Sequence, residues 1–239
     1  MNSKSKINDS IRLFRTAPHA CSYIDQQQAA TVFVDPELTI DKSLNSKLSN
    51  FGYRRSGAHL YRPDCDDCKA CIACRLSVKH FHIAGRYKRI WNRNQDLEVQ
   101  ETSQLEDNEV FALYRRYINT RHRDGDMYPA TIEQYDAFIR TNVASTRFYK
   151  FYLEGKLVAV SVTDVLEQGL SAVYTFFDPD LPKRSLGNYV ILWQIDKLKQ
   201  LQLQYLFLGY WIKDCAKMQY KSTFRPIEML VDGKWLLVK

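Results

Sequence analysis

The chain has 239 residues, 45% of them hydrophobic, enough apolar material for one large domain or two small ones without disulfide staples. No apolar run is long enough to cross a bilayer, and the polar residues 1–15 lack the apolar segment of a secretion signal, so a cytoplasmic protein with no membrane partner is expected. The net charge of +7 is concentrated: residues 47–93 hold eleven Lys or Arg against Asp64, Asp66 and Asp67, a positive field that favours a polyanion such as nucleic acid.

Taken in chain order, the first informative stretch is Tyr53-Arg54-Arg55-Ser56-Gly57-Ala58-His59-Leu60-Tyr61-Arg62-Pro63, basic and aromatic together. Cys65, Cys68, Cys71 and Cys74 follow at a spacing of three, with Cys21 and Cys215 remote. Crowding of this kind suits a reducing compartment rather than a disulfide framework. Thiolates of the run, with Cys74 or Cys21 as the fourth, could ligate an iron-sulfur cluster or zinc. Four ligands so close together leave little loop to wrap a tetrahedral ion, and the alternative is a helix start that packs the reduced thiols on one face.

Near residue 100 the composition changes from loop-rich and basic to alternating strands and helices, which divides the chain into residues 1–100 and 101–239. Helices are expected over 105–119, where Leu105, Val110, Leu113, Tyr114 and Tyr117 recur at helical spacing, and again at Ile132, Tyr135, Phe138 and Ile139. Strands are expected over 147–153, 157–165 and 170–177, then a buried helix over 185–202 and a strand over 203–208. A short helix near 213–219 and a strand over 227–231 complete the series. This α+β order is that of the GCN5-type N-acetyltransferase fold. A coenzyme A loop would need glycine where Arg184-Ser185-Leu186-Gly187-Asn188-Tyr189 has Tyr189, and there is no Walker-type loop. A transferase built this way would take a donor that arrives already activated.

Two further stretches are rich in polar chemistry. Arg121-His122-Arg123-Asp124-Gly125-Asp126-Met127 reads equally as a polar helix end or as a charged-substrate loop. Gly209-Tyr210-Trp211-Ile212 and the segment from Lys217 through Lys221 to Arg225 follow a strand, where open sheets commonly bind ligands.

At these residues the chain resembles the arginyl-tRNA–protein transferase family, most closely its bacterial, leucine-transferring branch. The matching stretches are Tyr53 to Gly57, Tyr61-Arg62-Pro63 with Cys65 and Cys68, Arg121-His122 with Asp124 to Met127, Ser185-Leu186-Gly187, and Leu208 to Ile212 with Lys217-Met218 and Tyr220-Lys221. The resemblance implies transfer of an amino acid from an aminoacyl-tRNA to the N-terminal amine of a protein beginning with Asp or Glu, marking it for degradation by the N-end rule pathway. Leucine is the expected donor and arginine the alternative. Eukaryotic members begin with Cys-Gly-Tyr-Cys, linked to a metal or cluster, whereas this chain reads Cys21-Ser22-Tyr23-Ile24.

An aminoacyl ester needs no ATP and no cofactor to react with an amine whose pKa is about 8, only positioning and oxyanion support. On this reading Arg54, Arg55, Arg62, Arg86, Lys88 and Arg89 meet tRNA phosphates. Arg121, Lys221 or Arg225 binds the acceptor's carboxylate, with His122, Asp126 and Ser185 as further substrate contacts. Tyr174, Asp178 and Tyr210 orient the amine. A non-catalytic RNA-binding module and an acetyltransferase are the rival classes.

Overall fold

The computed structural model describes residues 11–106, 108–141 and 143–239; the polar N-terminal stretch read above lies in part outside them. Strands β1 (Leu13–Arg15), β2 (His19–Ala20), β3 (Gln28–Ala29) and β4 (Thr31–Val34) come first, then helix α1 (Lys42–Asn50). Next are β5 (Arg54–Ser56), β6 (His59–Pro63), β7 (Ile72–Ser77), α2 (Gly85–Arg93) and β8 (Glu98–Thr102). The remainder runs α3 (Asn108–Arg121), α4 (Ile132–Tyr135), β9 (Thr146–Leu153), β10 (Lys156–Val165), β11 (Gly169–Phe177), α5 (Leu186–Gln200), β12 (Tyr205–Trp211), β13 (Ile227–Val231) and β14 (Lys234–Val238). From β9 to β13 this is the order the sequence predicts.

Eight strands form one sheet in the order β14-β13-β7-β12-β11-β10-β9-β8, and β1-β4-β6-β5 form a second. The boundary expected at residue 100 therefore does not separate two folding units. It falls inside β8 and cuts β7 away from β12 and β13, the neighbours between which it lies.

Helix α3 turns Val110, Leu113, Tyr114, Tyr117 and Ile118 inward, a face at helical spacing that packs with Phe148, Val160 and Phe176 of the sheet. Helix α5 is enclosed on several sides, with Leu186, Tyr189 and Val190 in one apolar cluster and Leu192, Ile195 and Leu198 in another. Its first turn sits directly against β11: a Cβ on Gly187 would come 2.9 Å from the Phe177 ring. The Ser185-Leu186-Gly187 stretch is thus tied to close packing, and Ser185 itself takes a left-handed conformation (φ 52) before the helix.

Only one pair in the large sheet is parallel. Strands β11 and β12 pair over Gly169↔Tyr205, Leu170↔Leu206 and Ser171↔Phe207, and beyond these residues their ladder stops. Past that point the carbonyls that face the gap need donors from elsewhere.

Candidate active site

Arg54 supplies those donors. From β5 of the small sheet its guanidinium enters the opening, where Nη2 donates to the Ala172 carbonyl at 2.7 Å and Nη1 to the Phe207 carbonyl at 3.4 Å. Gly209 makes the approach possible. It has φ +80, and a Cβ there would stand 2.8 Å from Arg54 Cζ. The half-buried Arg54 is therefore a clamp on the parting strands rather than a free phosphate contact.

Arg55 points the other way, as alternation along a strand requires. Its side chain is wholly enclosed, with Nε and Nη2 donating to the two Asp164 oxygens at 2.7 and 2.8 Å. Gly57 and Thr141 carbonyls and the Thr146 hydroxyl take its remaining bonds. The expected phosphate contact at Arg55 is corrected accordingly: a guanidinium with a buried carboxylate and no solvent exposure is internal structure.

Around the opening lies a group of side chains drawn from four elements. At the end of α3, Tyr117 Oη and His122 Nε2 are 3.0 Å apart, and the Arg121 guanidinium lies 5.5 Å from the Phe177 ring centre. Burial, helped by Lys217 and Arg121, holds the His122 imidazole below its usual pKa, so it is neutral near pH 7. Lys217 donates to Asp124 at 2.6 Å, joining this loop to the helical turn Ala216–Thr223, and Ser22 donates to Asp126 at 3.4 Å. Tyr174 of β11 is half-buried, edge-on to Phe138 at 5.1 Å, with its hydroxyl 3.8 Å from the Met127 sulfur. Burial raises its phenol well above the ordinary value.

Other expected site residues lie elsewhere or are already engaged. Asp178 is corrected as an amine contact, since its 1%-exposed carboxylate is paired with Arg116 at 2.5 Å and Lys156 at 3.3 Å. The Tyr210 hydroxyl donates to the Gly52 carbonyl at 2.7 Å, which ties β12 to the small-sheet region and leaves no reason to give it the amine. Arg225 is exposed, with Nε donating to the Ser222 carbonyl at 2.8 Å. Arg62 lies 5.1 Å from the Tyr53 ring centre. Lys88 and Arg89 are exposed on α2 together with Arg86, which donates to Thr223 at 2.6 Å. Lys221 is 7% exposed and its ammonium donates to the Tyr210 carbonyl.

The cysteines do not begin a helix. Cys65, Cys68 and Cys71 lie in the loop between β6 and β7, and Cys74 is inside β7. Cys74 leaves the expected ligand set because it belongs to the core: it is 1% exposed, its thiol donates to the Gly209 carbonyl at 3.3 Å, and burial pushes it up to about 11. Cys21, Cys65, Cys68 and Cys71 line a cavity of about 630 Å³ with Tyr61 and Tyr210. Burial pushes the Cys71 thiol up to about 12, and the surrounding Cys65, Cys21, Cys68 and Cys215 add to the effect. Among the described residues, no group of three or more His, Cys, Asp or Glu is arranged to hold a metal ion.

The family models for the N terminus and C terminus of arginine-tRNA-protein transferase match residues 19–89 and 109–231. The chain belongs to the arginine-tRNA-protein transferase family. Among its relatives are proteins named aspartate/glutamate leucyltransferase from Stutzerimonas stutzeri (50% identical over 95% of this chain and 96% of that one) and Teredinibacter turnerae (52%, over 95% and 93%). A third, from Alcanivorax borkumensis, is 51% identical over 95% and 93%. Solved structures that resemble the chain include the C-terminal domain of a lysylphosphatidylglycerol synthetase from Agrobacterium fabrum, at 16% identity and TM-score 0.47, covering 66% of this chain and 50% of that one. Another is a GCN5-related glucosamine N-acetyltransferase region of a fungal enzyme, at 11% and 0.43, covering 84% and 23%.

In this family member, sequence reasoning passed over Tyr117 and Lys217 as parts of the site. Tyr117 was legible only as one of the apolar positions of a helix, and nothing in its spacing distinguishes a phenol that meets His122 from one that fills the core. Lys217 stands inside a stretch that carries the resemblance, which was the one available signal.

Proposed function

We propose that the protein transfers leucine from leucyl-tRNA to the N-terminal amine of proteins that begin with Asp or Glu, in the cytoplasm, so marking them for degradation. The observation that carries this reading is the near-complete, 50–52% identical match to relatives named for that activity. The gap where β11 and β12 part supports it, because carbonyl and phenol groups are held in place beside it.

In the transfer, the neutral α-amine attacks the ester carbonyl carbon, a C–N bond forms, and the ester C–O bond breaks. The proton lost by the amine is balanced by the one taken up by the leaving ribose oxygen. No cofactor enters this balance. Tyr174 and the neutral His122–Tyr117 pair would hold the amine and its proton. Exposed Arg86, Lys88 and Arg89 on α2, with Arg62, would meet tRNA phosphates. An acceptor carboxylate requires a cation in or beside the cleft, for which Arg121, Lys221 and Arg225 are candidates.

The test is incubation of the purified protein with a peptide that begins with Asp and, in separate reactions, labelled leucyl-tRNA, arginyl-tRNA or acetyl coenzyme A. Label on the peptide from leucyl-tRNA is expected. Label from neither tRNA would overturn the reading, and label from acetyl coenzyme A would replace it. Buried Tyr189 at the start of α5 argues against that last outcome.

A further inference from the structure

Among the described residues, seven charged ones are buried: Asp35, Arg55, Arg75, Asp164, Asp178, Lys221 and Glu228. Six of them are ion-paired, Asp35 with Arg12, Arg55 with Asp164, Arg75 with Glu228, and Asp178 with Arg116 and Lys156. Lys221 is the exception. Among the described residues it meets no carboxylate, and its ammonium donates to the Tyr210 carbonyl. The groups that face it are Cys74 from β7, Arg54 from β5, Cys215 and the ring of Tyr220.

Neither Cys74 nor Tyr220 supplies a negative charge at neutral pH, since burial raises both. Burial keeps the Cys74 thiol protonated, with its hydrogen directed at Gly209. Arg54 is a second cation without an acid among the described residues, and it too donates to main-chain carbonyls. Two unneutralised cations at one break in a sheet are expensive in an apolar surrounding, and a protein that neutralises its other buried charges has left these two open. Desolvation already depresses Lys221 to about 8, with Arg54 contributing, and a bound anion would reverse that shift.

On the reading given under Proposed function, we infer that Arg54 and Lys221 together form the receptor for the acceptor's N-terminal Asp or Glu carboxylate. Exposed Arg121 and Arg225 then have no part in that selection. The arrangement would reject Asn and Gln: an amide would leave both cations unneutralised, whereas a carboxylate completes them. Gly209 belongs to the same device, because any side chain there would occupy the place of the Arg54 guanidinium.

The experiment measures kcat/KM for peptides that differ only in an N-terminal Asp or Asn, with leucyl-tRNA as donor. For Lys221→Met the Asp-over-Asn preference is expected to fall about 100-fold, mostly through KM, with Lys221→Arg restoring part of it. An unchanged preference in folded Lys221→Met overturns the inference.

Should Lys221→Met not fold, the wild-type enzyme decides. Both peptides share the titration of the α-amine, so the ratio of their kcat/KM values isolates the receptor. It is expected to decline between about pH 6 and about pH 9 as Lys221 loses its proton around 8, and a constant ratio overturns the inference. Wild-type protein that transfers no leucine to the Asp peptide at all would instead sink the proposed function.

Discussion

Arg54 and Arg55 are neighbours in sequence and opposites in environment. One reaches the break between β11 and β12, where it finds carbonyls and another cation. The other is sealed against Asp164 with every donor nitrogen engaged. A strand turns consecutive residues to opposite faces, so a dipeptide that reads as one basic patch becomes a structural ion pair on one side and an unfilled charge on the other. Charge counted along a chain does not say which arginines are free to bind.

The contrast can be broken most severely at the sealed pair. Asp164→Asn leaves Arg55 buried without its counter-charge and should cost about 3–5 kcal/mol in urea unfolding. The equivalent change at the open site should go the other way. Lys221 has no counter-charge to lose, and its pKa is about 8 when folded against 10.5 for the free side chain.

A lysine depressed by folding opposes stability fully below the folded pKa, and the opposition is relieved as pH rises from about 8 to 10.5, where the unfolded chain binds more protons. Lys221→Met should therefore stabilise the fold by roughly 3 kcal/mol near pH 7 and remove that part of the pH dependence, as thermal unfolding across the range would register. A destabilised Lys221→Met would place both cations in the structural class and erase the contrast.

Gly209→Ala tests the open site through its backbone. A residue at φ +80 with its Cβ 2.8 Å from Arg54 Cζ should cost about 1–3 kcal/mol and displace the guanidinium, with transfer to Asp peptides falling more than stability alone explains. The smallest effect is expected on α2. Replacing Arg86, Lys88 and Arg89 with Gln should weaken tRNA binding about tenfold and flatten its salt dependence by two to three phosphate contacts, roughly 0.9 each in slope, while leaving the unfolding midpoint in place.

What the sequence disclosed and withheld follows the same physical line. Strands β9 to β11 and helix α5 were legible because their apolar residues repeat at one period over many positions, and Gly155 turns the hairpin with φ +77. Strand β7 was not, since its buried positions are Ala73, Cys74, Arg75, Leu76 and Ser77, and the thiols advertise chemistry rather than a strand. The strands β1 to β6 are two to five residues long, too short for any period to declare itself.

Within the site, Lys221 could be singled out as a cation among apolar residues, but its lack of an acid could not. Knowing that Arg55 has taken Asp164 requires seeing two residues 109 positions apart meet. Nor could the thiols be judged from spacing of three, because Cys74 turns into the sheet while Cys71 lines a cavity.

The position of β7 has a bearing on how the chain comes to be assembled. Its strand partners are β12 and β13, and Cys74 waits for Gly209, 135 positions later. Closing so long a loop is slow, and until then both edges of the strand are unsatisfied. During synthesis the basic, thiol-bearing segment must therefore leave the ribosome and remain unpaired until nearly the whole chain has followed. The strand that finally accepts it is the one that carries Gly209, so locking the segment in place and shaping the cleft are a single late event.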